Sequence, residues 1–175
     1  SDNITSKMVE WATRAKNKYN VKTYIYMYKY FREPISYIRN DNEIMVNNIY
    51  KTCIVSQKWQ CFNVYERYFF KCPQAMAISK NIDNCDFEKN GIKIVDDKNL
   101  ENTLLSYIDS LIPLQACKYC LGTVGKRFEI RQSSKEEYIK ETTKTCDELL
   151  DKEFLEECLT HDVGNMMTVE KVLEF

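Results

Sequence analysis

CIVSQKWQCFNVYERYFFKCP, residues 53–73, is the stretch on which the fold turns. Two apolar, aromatic-rich runs flank a polar segment at residues 63–67, the pattern of a β-hairpin. Cys53 stands where this hairpin begins and Cys72 where it ends. Pro73, which cannot donate to a ladder, stops the second strand. Antiparallel pairing returns a chain to its starting point, so Cys53 and Cys72 are expected to meet. Downstream, CKYCLGTVGKRFEIRQ (residues 117–132) sets two cysteines and two glycines within nine residues. A tight turn carries both sulfurs to one side, so Cys117-x-x-Cys120 can grip one metal or one cluster. Thioredoxin-like redox sites share the spacing but open a helix after a strand. Here the pair follows Pro113 and runs into a glycine-rich loop. Cys53, Cys72, Cys117 and Cys120 are therefore the expected metal ligands, with 18, 44 and 2 residues between them. Cys61 is expected to pack as a small apolar residue, with replacement of Cys53 as ligand the alternative.

Upstream, Met8, Trp11, Ala12 and Ala15 repeat at helical spacing, which predicts a helix over 8–18. VKTYIYMYKY (21–30) alternates and predicts a strand with Tyr24, Tyr26, Tyr28 and Tyr30 on one face. This helix and strand read as the last unit of an α/β array. Asp41 is placed to cap a helix through Ile44, Val46, Ile49 and Tyr50. A short helix over 74–80, a polar loop over 81–90 and a strand over 91–95 follow. Asp96 or Asp97 then caps a helix with Leu100, Leu104, Leu105, Ile108 and Leu111 on one face, ended by Pro113. Ser134 and Glu137 make a capping-box pattern, and the helix after it carries Ile139, Cys146, Leu149, Leu150 and Phe154. A last helix is expected over 166–173. The expected class is α+β, a small hairpin and helices around a four-cysteine site.

Basic and acidic residues nearly balance, 25 against 26. No strong field gathers nucleic acid or an anionic membrane. No run approaches the ~20 apolar residues of a membrane span, and residues 1–11 lack the features of a signal peptide. The chain is thus expected in the cytoplasm, where its eight cysteines point to metal or redox chemistry rather than disulfides. Cys146 and Cys158 continue an apolar helical stripe and are expected in packing. Cys85 lies in the polar loop, without a role. His161, the only histidine, forms a Cys-x-x-His pair with Cys158 that zinc accepts; a surface histidine near a helix end is the plainer reading. No nucleophile elbow surrounds it, which excludes that class of hydrolase. Lys126, Arg127 and Arg131 either face a cluster or anion or form a solvated face. Gly122 and Gly125 suit backbone wrapping a cluster, for no phosphate-loop pattern is present.

The cysteine order resembles the SPASM/twitch auxiliary domains of radical SAM enzymes. The twitch version holds one [4Fe–4S] cluster with two cysteines flanking a hairpin, then a helix, then a CxxC. The likeness spans residues 53–132 and includes Lys71-Cys72-Pro73 and PLQACKYCLGTVGK (113–126). It implies a [4Fe–4S] cluster on Cys53, Cys72, Cys117 and Cys120, flanked by Gly122, Gly125, Lys126 and Arg127. It also implies that residues 1–40 end an α/β partial barrel, 41–132 hold the cluster, and 133–175 are C-terminal helices. Where the family hairpin carries glycine, five residues before its second cysteine, this chain has Arg67. It also lacks the CxxxCxxC that holds the cluster cleaving S-adenosylmethionine. That cofactor is therefore expected on an N-terminal radical SAM domain, on the same chain or a separate one, acting on a peptide or small-molecule substrate. Four cysteine ligands leave no open iron, which fits electron relay better than substrate ligation. The same thiolates also suit a structural zinc module that scaffolds a protein partner.

Overall fold

The computed structural model describes residues 2–28, 30–129, 134–161 and 169–174. In chain order, α1 (Asp2–Tyr19) leads into strands β1 (Tyr24–Tyr28) and β2 (Tyr30–Arg32), then helices α2 (Glu43–Thr52) and α3 (Ile54–Gln57). Strands β3 (Asn63–Tyr65) and β4 (Tyr68–Phe70) follow, then α4 (Pro73–Asn81), α5 (Phe87–Asn90), β5 (Gly91–Lys93) and α6 (Leu100–Asp109). A 3₁₀ turn (Gln115–Lys118), β6 (Arg127–Glu129), α7 (Lys135–Glu141), α8 (Cys146–Leu149), α9 (Lys152–Thr160) and β7 (Val169–Glu174) complete the chain. The class is α+β with small antiparallel sheets. The chain forms two compact units, residues 1–31 with 165–175, and residues 32–164.

In the first unit, α1 buries Ala12 and leaves Trp11 exposed. β1 pairs antiparallel with β7, from Tyr24 opposite Glu174 to Tyr28 opposite Val169. This corrects the helix expected over 166–173: the described residues 169–174 are strand, and 166–168 lie outside the described residues. Val169 and Val172 are β-branched, which favours extended backbone, and the ladder to β1 satisfies their main chain.

In the second unit, β3, β4 and β5 form one antiparallel sheet in that order. Tyr65 pairs with Tyr68 across a two-residue turn, Glu66 and Arg67, whose φ values are 47° and 66°. Both signs match the twist that tight hairpins require. The hairpin is shorter than expected, because residues 54–57 are helical. Ile54 and Val55 are buried on this single turn, and the Gln57 N–H donates to the Cys53 carbonyl at 3.0 Å. The caps also differ. Asn42, not Asp41, caps α2, its Oδ1 accepting from the Met45 N–H at 3.1 Å. Asn99 rather than Asp96 or Asp97 precedes α6, and Asp97 accepts from the Asn99 N–H instead. α6 ends at Asp109, ahead of Pro113, and α5 interrupts the loop expected over 81–90.

The Ser134–Glu137 capping box is present in both directions, at 3.0 and 3.2 Å. The long helix expected after it is three. Thr145 caps α8 with a second capping box through Glu148, and Asp151 caps α9 by accepting from the Phe154 N–H at 3.1 Å. These side chains satisfy the first-turn donors that an uninterrupted helix would not expose. Two apolar cores result. One gathers Phe70, Ala75, Ile78 and Ala116 with Cys53, Cys72, Cys85 and Cys120, and the other packs Ile49, Leu121, Val124, Leu150 and Phe154.

Candidate metal centre

Cys53, Cys72, Cys117 and Cys120 all line one cavity of about 20 Å³. Each stands at a helix end or turn, where backbone N–H groups are left over. Cys53 is the joint between α2 and α3, its backbone extended at φ −69°, ψ 102°. Cys72 is the N-cap of α4, with Pro73 at the first helical position and the Ala75 N–H donating to its Sγ at 3.4 Å. Cys117 lies in the 3₁₀ turn, and the Cys120 N–H donates to its carbonyl at 3.3 Å. The Gly122 N–H donates to Cys120 Sγ at 3.2 Å. Cys53 thus reaches the cavity from a helix joint, not from a hairpin strand.

The loop carrying Cys117 and Cys120 is tied down on several sides. Ile35 and Cys120 form a bridge, with the Ser36 N–H donating to the Tyr119 carbonyl at 2.8 Å. Leu121 and Val124, both fully buried, anchor its far end in the second core. Asn90, also fully buried, accepts from the Ala116 N–H at 2.6 Å through Oδ1. Thr123 Oγ1 donates to the Thr52 carbonyl at 3.4 Å, next to Cys53. Gly122 has φ +55°, and a Cβ there would lie 3.3 Å from both Cys53 Cβ and Ile49 Cγ2. Only glycine takes that conformation without strain.

Burial pushes the Cys72 thiol up to about 11 and the Cys117 thiol up to about 12, with the neighbouring cysteines adding to it. Cys120 is raised well above its ordinary value, by burial and then by Cys53, Cys117 and Cys72. The sulfurs are close enough that ionising one opposes ionising the next. A bound cation reverses that logic, because a coordinating thiol is deprotonated outright. Among the described residues no group of three or more His, Cys, Asp or Glu side chains is arranged to hold a single metal ion.

No protein-family model matches this chain, and no curated protein matches it.

The chemistry of the site is nevertheless specific. Two buried side-chain oxygens at the cavity, Ser56 Oγ and Gln74 Oε1, have no hydrogen-bond partner. Buried polar groups are rarely left so. The Ser56 hydroxyl can donate to a thiolate or sulfide, so its wall suits an anionic sulfur centre. Lys71 also lines the cavity, and it is 3 % exposed. Its Nζ donates to Tyr50 Oη at 2.8 Å and to the Ser110 carbonyl at 2.6 Å. Among the described residues no carboxylate pairs with it. A buried ammonium needs compensating charge, and four thiolates on a metal supply it. On these grounds the residues fit a cysteine-held metal or cluster. The sequence marks Lys71 only as part of Lys71-Cys72-Pro73 and gives no sign of Ser56, since lysine and serine are ordinarily solvated.

Gly125 lies outside the cavity wall, and a Cβ there would fall 1.9 Å from the Glu33 carbonyl oxygen. The Lys126 backbone N–H donates to the Leu149 carbonyl at 2.7 Å, and Arg127 is exposed on β6. Arg131 lies outside the described residues. Cys61 is exposed, while Cys85 and Cys146 are buried in the two cores. Cys158 and His161 line a different pocket, which Cys53 also touches.

Proposed function

We propose that this chain holds a [4Fe–4S] cluster on Cys53, Cys72, Cys117 and Cys120 and serves as an auxiliary electron-relay domain of a radical SAM enzyme. The convergence of these four cysteines on one cavity carries the reading. Clusters of this kind take four cysteine thiolates, and when bound the cluster supplies one-electron chemistry. The same four thiolates also suit a structural zinc ion, and metal analysis separates the two.

The chain's own residues have definable tasks. Four cysteines bind and fill the ligand sphere. Backbone N–H groups of Ala75 and Gly122 donate to Cys72 and Cys120 sulfur, which tempers the charge on those ligands. Ile78, Ala116 and Phe70 pack in the core that holds Cys53, Cys72 and Cys120. The partner is a separate or preceding radical SAM domain that binds S-adenosylmethionine and the substrate, and the α1–β1 segment ends its partial barrel. Among the described residues no helix is long and apolar enough to cross a membrane, and a reducing cytoplasm suits exposed thiols such as Cys61.

Anaerobically purified protein is expected to contain iron and acid-labile sulfide in near-equal amounts, with broad visible absorbance. Cys117→Ala should remove most of both. Stoichiometric zinc without iron, or iron unchanged in Cys117→Ala, overturns the assignment.

A further inference from the structure

Among the described residues, one cationic side chain, Lys71, lines the cysteine cavity. Lys71 follows β4 and precedes Cys72, and its Nζ is held by two acceptors, Tyr50 Oη and the Ser110 carbonyl. Tyr50 is itself buried, and its hydroxyl donates to the same carbonyl at 2.8 Å. The Lys71 main chain is pinned as well, its N–H donating to Tyr107 Oη at 3.1 Å, and that hydroxyl donates onward to the Asn90 carbonyl. The charge is thus fixed in place at both ends of the residue. Lys71 and Tyr50 line the same cavity as Cys53, Cys72, Cys117 and Cys120. An ammonium offers three N–H donors, and two have named acceptors.

We infer that Lys71 is a positioning and tuning residue for the thiolate-held centre, its fixed positive charge favouring the one-electron-reduced state. This rests on the cluster reading above. Adding one electron from an external one-electron reductant makes the centre more negative by one unit, with no bond broken and no proton moved. A cation fixed in a low-dielectric wall stabilises the more negative state, and net charge and hydrogen bonding are the levers that set such potentials. Tyr50 and Ser110 act through Lys71, by keeping the ammonium at the wall.

The test is a potentiometric titration of anaerobically reconstituted protein, followed by visible absorbance and by electron paramagnetic resonance of the reduced form. Lys71→Met keeps an unbranched chain of similar length and removes the charge. It leaves the Ser110 carbonyl satisfied by the Tyr50 hydroxyl, so the fold has a route to persist. Its reduction is expected to weaken about tenfold or more, a downward shift of about 59 mV for one electron. Lys71→Arg should restore most of the wild-type value. Tyr50→Phe, which keeps the charge but removes one of its acceptors, should shift the potential the same way by less. A Lys71→Met protein with full iron and sulfide and an unchanged potential overturns the inference. Where Lys71→Met fails to retain its cluster, an unchanged potential in loaded Tyr50→Phe overturns it. Wild-type protein with no iron and sulfide defeats the cluster reading itself, an outcome seen in metal analysis before any potential is measured.

Discussion

At the scale of single residues, the cysteine thiols set a pH dependence that metal should abolish. Burial raises Cys72 to about 11 and Cys117 to about 12 in the metal-free fold, from an ordinary 9.0. Between those values the folded protein keeps protons that the unfolded chain has released. Stability is then fully present below pH 9 and falls as pH rises through that window. Urea unfolding of metal-free protein should show a loss of ~1.4 kcal/mol per pH unit for each retained proton. Loaded protein, its thiolates already deprotonated, should not show it. Gly122 makes a second prediction. Gly122→Ala forces a side chain into a left-handed backbone and against Cys53 Cβ. A cost of ~1–2 kcal/mol and reduced iron retention are expected, read by urea titration and iron analysis. The cysteine pair was legible because two thiols and two glycines crowd nine residues. Lys71 was not, because nothing local distinguishes a buried lysine from a solvated one; its burial depends on Tyr50 and on Ser110, 39 residues away in sequence.

At the scale of elements, short pieces locked by single side chains do most of the positioning. Asn90 ends α5 and holds the Ala116 N–H, which aims the turn bearing Cys117. Asn90→Ala leaves that buried donor unpaired, so a loss of ~1–3 kcal/mol in denaturant titration is expected, along with weaker iron retention. The β3–β4 turn offers the opposite sign. Arg67 occupies a left-handed position at φ 66°, and Arg67→Gly should raise stability by ~0.5–1 kcal/mol. The hairpin was readable from its polar centre and aromatic flanks. Its length was not, because Ile54 and Val55 suit strand and buried helix equally, and burial against the first core chose the helix. In residues 134–160 the apolar stripe continued through two breaks. Thr145 with Glu148 carried the same capping-box signature as Ser134 with Glu137, and Asp151 the same capping role, yet apolar periodicity alone runs over both.

At the scale of the whole molecule, the second unit has two cores joined by residues 120–124, with Cys120 in the first and Leu121 and Val124 in the second. On the proposed cluster reading, metal removal should therefore loosen both. Hydrogen exchange after chelation is expected to speed up not only at Ala75 and Gly122 but also at Leu155 and Asp151, whose N–H groups lie in the second core's helix and loop. Unchanged protection at Leu155 would show the cores to be independent. The first unit was legible only in its leading half, since β7 finds its partner some 145 residues earlier and its own sequence carries helical spacing. The shared loop also limits how the site can be moved. A peptide of residues 113–126 contains two of the four sulfurs but neither Asn90 nor the second core that grips Leu121 and Val124. Transplanted into another scaffold it would be a floppy thiol pair, whereas a graft spanning residues 32–161 carries the grip along with the ligands.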